Sequence, residues 1–136
     1  MIDLSRLTVG LKGTARLVVA EEHTAPFVGS GRVPVLATPV MINLMEAAAL
    51  DAAETLLPEG HQSLGIRLDV RHYAATPIGL HVDVTAELIQ IDGRTLEFRV
   101  EARDEKEPIG DGLHQRVVVN VARFDKRAQD KLAARR

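Results

Sequence analysis

Thr38 to Leu57, TPVMINLMEAAALDAAETLL, constrains this chain more than any other stretch. Thr-Pro supplies a good cap and a favoured first helical residue, and Pro58 and Gly60 stop the run. After the cap, the only polar side chains are Asn43, Glu46, Asp51, Glu54 and Thr55. No single stripe is wholly apolar, because Asp51 and Thr55 share a side with Leu44 and Ala48. A helix apolar most of the way round is expected to be buried on several sides. Ala47, Ala48, Ala49, Ala52 and Ala53 keep it thin, so that a sheet can approach closely. Glu46, in the middle of such a helix, is the first residue that asks for an explanation.

Everything after the helix switches to period two. Leu64, Ile66, Leu68 and Val70 alternate with Gly65, Arg67, Asp69 and Arg71; Leu80, Val82, Val84, Ala86 and Leu88 alternate with polar residues; so do Leu96, Phe98, Val100 and Ala102. Each reads as a half-buried strand. Turns are expected at Thr76-Pro77-Ile78-Gly79, at Asp92-Gly93 and near Lys106-Glu107-Pro108. The last strand spans about Ile109 to Phe124, with Gly110 and Gly112 marking a bulge or a close backbone approach. A first strand, 14–20, follows the breakers Gly10 and Gly13, and a loop from His23 to Ala37 leads into the helix. A loop of that length suits a lid or a plain crossover equally well. The order implies an α+β fold in a single domain, residues 1–136. One long helix is wrapped by a curved antiparallel sheet of about five strands. Residues 1–13 form an N-terminal segment, and 125–136 a basic, exposed helical tail.

Composition narrows the function. Without cysteine there is no disulfide, thiolate nucleophile or Cys-ligated metal. A net charge of -2 gives no basic field for nucleic acid, and Phe27, Tyr73, Phe98 and Phe124 are too few for base stacking. The N-terminus has no signal-peptide pattern, and Glu46 and Asp51 interrupt the longest apolar run, so a cytoplasmic protein without a membrane partner is expected. No metal-spaced histidine pair, nucleophile elbow or phosphate loop is present, and no metal is expected.

Three residues suit chemistry. His72 continues the apolar parity of its strand and stands at its end, beside a turn where a cleft can open. It fits a satisfied core histidine or a base. Glu46 fits a structural acceptor, a solvated edge residue or a base with a shifted pKa. Thr38 fits a plain N-cap, or a hydroxyl at a helix N-terminus that favours a developing anion. Thr38 and Glu46 are separated by roughly 12 Å of helical rise, so a bridging group such as His72, or a partner from a second subunit, has to connect them. His23 sits at the mouth of the loop, His61 in a turn and His81 on a polar face. His114 shares parity with Arg116, which suits an anionic substrate or an ion pair.

The segments ATPVMINLMEAAAL, SLGIRLDVRHYAATPIGLHVDVTAEL and GDGLHQRVVVN resemble the fluoroacetyl-CoA thioesterase-like family of the hot-dog fold. The resemblance implies a homodimer that hydrolyses a small or medium acyl-CoA thioester without a cofactor, coenzyme A being part of the substrate. It maps Thr38, Glu46 and His72 onto the family's catalytic set, and Arg116 and Gly65 onto substrate-facing positions. His72 is then the base, with Thr38 and Glu46 as nucleophile or orienting groups. His23 and Phe27, in the loop, complete the expected substrate-binding set. The family's fluoroacetate-specific member carries a phenylalanine lid in this loop. Here HTAPFVGSGRVPVLAT holds Phe27 alone, with Gly29 and Arg32 nearer the helix, which leaves the acyl group open. A non-catalytic acyl-CoA or small-ligand binding protein is the competing reading. A hydratase fits the spacing of Thr38, Glu46 and His72 less well.

Overall fold

The computed structural model describes residues 2–135. The chain runs β1 (Lys12–Val18), a 3-10 turn (Glu21–His23), α1 (Ala25–Val28), α2 (Thr38–Ala53), a second 3-10 turn (Glu54–Leu56), β2 (His61–His72), β3 (His81–Asp92), β4 (Thr95–Asp104), β5 (Pro108–Asn120) and α3 (Val121–Ala133). All five strands form one antiparallel sheet in the order β1-β3-β4-β5-β2. This is the expected helix against a five-stranded sheet, with β1 and β2 at the edges. Among the described residues no helix is long and apolar enough to cross a membrane.

Helix α2 buries one face rather than several. Met41, Leu44, Met45, Ala48, Ala49, Ala52 and Ala53 form a continuous i, i+3, i+4 stripe against the sheet, while Asn43, Ala47, Leu50 and Asp51 face outward. The facing layer is Val82, Val84, Ala86 and Leu88 of β3 with Leu96, Phe98, Val100 and Ala102 of β4, all buried as their alternation predicts. The small residues act as expected. A Cβ on Gly13 would collide with the backbone of Ala48 and Ala52, so β1 lies directly on the helix. Gly13 is thus a contact inside β1, not a breaker before it, and the strand starts two residues earlier than its pattern suggests. Asp51 adds a tie, accepting from the Thr14 amide at 2.9 Å. Because backbone cannot yield, Gly13→Ala is expected to destabilise the fold by about 1–3 kcal/mol. A fall in the urea midpoint at unchanged m-value measures it.

Two expectations fail for local reasons. The helix turns into a 3-10 segment at Glu54 instead of continuing to Leu57. The last strand ends at Asn120, whose side chain accepts from the Arg123 amide at 3.0 Å and caps α3. The exposed tail helix therefore begins at Val121, and Arg136 lies outside the described residues. The Asp92-Gly93 hairpin forms between β3 and β4, and Asp104 builds the next turn. Its buried carboxylate accepts from Thr76 Oγ1 and from the amides of Lys106 and Glu107.

The edge strand β2 departs most from its pattern. Its pairing with β5 shifts register between Gly65 and Arg67, leaving Ile66 as a bulge. The bulge reverses parity. Ser63 and Gly65 face the core side on one arm, and Leu68, Val70 and His72 on the other. Leu64 and Ile66, expected inside, are 37% and 53% exposed. Gly110 permits the close approach anticipated on β5, since a Cβ there would stand 2.6 Å from Met41 Sδ.

Candidate active site

Thr38 and His72 meet where the start of α2 passes the end of β2. Thr38 is the first residue of the helix, and Ala37 occupies the cap position with no side-chain cap bond. The Thr38 hydroxyl is therefore free of capping, and its Oγ1 lies 2.7 Å from His72 Nδ1. His72 Nε2 is enclosed without a hydrogen-bond partner, so the ring meets the cavity through Nδ1 and Thr38. Burial holds the imidazole pKa below its ordinary 6.5, partly offset by the backbone of Ala74. Such a ring is neutral at neutral pH and able to take a proton. The pair lines a cavity of about 300 Å³ together with Ser30, Arg32, Val35 and Tyr73.

Glu46 and Arg116 form a second group. Arg116, on the core-facing side of β5, is 5% exposed and donates from Nη1 to Glu46 Oε2 at 3.2 Å. Its Nε donates to Ser63 Oγ at 2.7 Å and its Nη2 to the Ser63 carbonyl at 3.0 Å. His114, fully buried, stands 3.1 Å from Nη1 through Nε2. Gly65 lies against this group, and a Cβ there would sit 2.5 Å from Glu46 Oε2. Alternation alone had put Gly65 on the water side; the bulge turns it inward. Within one chain the helical rise keeps Glu46 away from the Thr38–His72 pair, and no hydrogen bond joins the two groups.

The other candidates lie elsewhere. His23 Nδ1 accepts from the Ala20 amide at 2.9 Å and closes its own 3-10 turn. Phe27 is 65% exposed over a different hollow of about 420 Å³, with Pro26, Pro34 and Ile78. His61 donates from its ring to the Glu59 carbonyl, and His81 is held by Asp83 and Glu105 on the outer face. A hollow of about 390 Å³ on that outer face is lined by Asp83, Thr85, Glu101 and Asp111, and none of the candidate site residues lines it. Among the described residues no cluster of His, Asp and Glu suits a metal ion. Sequence reasoning missed Ser63, Glu54 and Tyr73. A serine near the start of a strand and a glutamate just past the end of a helix carry no pattern that marks them.

A central helix wrapped by one curved antiparallel sheet, with polar groups at the helix start and along the edge strand, defines the hot-dog class. A hot-dog-like protein from Thermanaerovibrio acidaminovorans superposes with a TM-score of 0.88 at 24% identity, covering 96% of this chain and 97% of that one, which bears on the fold alone. The family model of the fluoroacetyl-CoA-specific thioesterase matches residues 19–122. The fluoroacetyl-CoA thioesterase of Streptantibioticus cattleyicolor is 44% identical over 100 residues, 74% of this chain and 72% of that protein. A solved structure of a fluoroacetyl-CoA thioesterase superposes with a TM-score of 0.86 at 37% identity, over 92% of this chain and 97% of that one. This chain belongs to the fluoroacetyl-CoA-specific thioesterase family.

Proposed function

We infer that this chain hydrolyses acyl-CoA thioesters, with coenzyme A entering as part of the substrate and no cofactor required. The observation that carries the reading is the 2.7 Å contact between Thr38 Oγ1 and His72 Nδ1 at the start of α2. His72 Nδ1 takes a proton from Thr38, or from a water in its place, as the oxygen adds to the thioester carbonyl. The negative charge growing on the carbonyl oxygen is favoured by the N-terminal dipole of α2. The carbon–sulfur bond then breaks, and the imidazolium returns its proton to the departing thiolate. With water as the attacking group, the products are the free acid and the CoA thiol. With Thr38, the acyl group is left as an ester on its oxygen, and a water activated by His72 then releases the free acid and restores the hydroxyl.

Glu46 orients the attacking group, and it reaches the site from a second copy. The edge of β2 exposes a third to a half of Leu64, Ile66 and Leu68, and covering what remains exposed is worth about 0.5–1.5 kcal/mol each. Antiparallel pairing of two β2 edges, centred near Leu68, sets the His72 end of one copy beside the Ser63–Gly65 stretch of the other. That register carries the Thr38–His72 pair to the Gly65–Glu46–Arg116 group across the dimer. Neither copy holds a whole site alone. The acyl group is small or medium, in keeping with the cavity of about 300 Å³. From the loop before α2 it is Arg32 that lines it, while Phe27 lines a different hollow.

Mixing two inactive variants tests the shared site. His72→Ala and Glu46→Gln are each expected to be inactive alone. When they are unfolded together and refolded, random pairing restores about a quarter of wild-type activity, because one of the two sites in each mixed dimer is intact. Mixed dimers without activity would show that each site is built within one chain.

A further inference from the structure

Arg116 is held more tightly than an ion pair with Glu46 requires. Glu54, where α2 gives way to its 3-10 turn, accepts from Ser63 twice, from the amide at 2.8 Å and from Oγ at 2.6 Å. A carboxylate only accepts, so the Ser63 hydroxyl hydrogen points at Glu54 and its oxygen accepts from Arg116 Nε. On the other side, His114 Nε2 accepts from Arg116 Nη1, which places the ring proton on Nδ1. That proton is donated to the Arg67 carbonyl at 2.9 Å, the carbonyl turned inward at the β2 bulge. Burial lowers the His114 pKa from 6.5, in keeping with this neutral tautomer. Ser63 takes two guanidinium bonds, Glu46 one and His114 one. Four of the five guanidinium donors are thus committed.

We propose that Glu54, Ser63 and His114 are positioning residues that fix the Arg116 guanidinium and, through it, the Glu46 carboxylate of the active site. The proposal rests on the thioesterase reading for its catalytic consequence. A buried charged network is poor value for stability, because apolar packing of the same volume does as well. Its worth lies in holding one charged group still, which a reaction needs and a core does not. Glu54 touches neither Arg116 nor Glu46 and acts only through Ser63.

The test is steady-state hydrolysis by Ser63→Ala, Glu54→Gln and Ser63→Thr, with thermal unfolding and the side-chain Nε–H signal of Arg116 followed by ¹⁵N NMR. Ser63→Ala is expected to lower kcat at least about tenfold with KM nearly unchanged, and Ser63→Thr, which keeps the hydroxyl, to recover most of it. The Nε–H signal is expected to be slow to exchange in the wild type and lost in Ser63→Ala. Wild-type kcat in both Ser63→Ala and Glu54→Gln would overturn the proposal. So would a loss of kcat that merely tracks the unfolded fraction. If the wild type hydrolyses no acyl-CoA, the thioesterase reading fails by itself. The Nε–H signal then decides the network, and a signal equally protected with and without the Ser63 hydroxyl would refute it.

Discussion

His72→Ala lowers kcat/KM for acyl-CoA hydrolysis by about a hundredfold to ten-thousandfold, the range a positioned general base contributes. The loss is chemical rather than structural. His72 sits at the end of the edge strand β2, and the hydrogen bond its side chain makes to another side chain goes to Thr38. The thermal midpoint therefore shifts by only a few degrees. Thr38→Ala shares the loss, and the double variant is scarcely worse than either single one, because the two side chains work as a unit. The pH dependence has a definite sign. Burial lowers the imidazole pKa from 6.5, so the acid limb of kcat/KM lies below that value, and activity rises with pH through it. Removing His72 abolishes that limb.

Gly65→Ala produces the second large effect, and it separates activity from folding. A Cβ at this position meets Glu46 Oε2 at 2.5 Å and His114 Cε1 at 3.2 Å. The carboxylate is the far end of a flexible side chain, so it swings aside and the backbone stays put. Glu46 then leaves Arg116 and the line of approach to the thioester. A fall in kcat/KM of about a hundredfold is expected, the cost of misplacing a reacting group by about 1 Å. The fold is kept, because Arg116 retains its bonds to Ser63 and His114, and the unfolding midpoint falls by a few degrees as the guanidinium loses its carboxylate. Gly13→Ala is the contrasting case. Its added methyl meets helix backbone, and stability is lost at a site with no part in the chemistry.

The contrast between these glycines shows what was legible in the sequence. Period-two alternation identifies the buried faces of β3 and β4 because both strands are regular over that stretch and pack on one face of α2. The same rule misplaces Leu64, Ile66 and Gly65, because a one-residue bulge reverses parity and leaves no mark on the pattern. Thr38 and His72 were readable as candidates from their places at a helix start and a strand end. Their contact was not, since it depends on how the end of β2 passes the start of α2. The alanines announced a close helix–sheet approach, and the structure supplies it at Gly13. Ser63 and Glu54 were invisible, because a nine-residue reach across the Pro58–Gly60 turn is set by the 3-10 ending of α2. The resemblance to a family singled out Gly65 as substrate-facing, and the structure sets it against Glu46 and Arg116, on the face that periodicity had not given it.

The most direct measurement is thiol release from a panel of short and medium acyl-CoAs, wild type beside His72→Ala under identical conditions. The thioesterase reading predicts turnover of at least one small or medium acyl-CoA by the wild type and its loss in the variant, with both proteins folded. Thiol release that survives in His72→Ala would contradict the role given to the Thr38–His72 pair. No release from any member of the panel by the wild type would contradict hydrolysis itself and leave a protein that binds acyl-CoA without cleaving it.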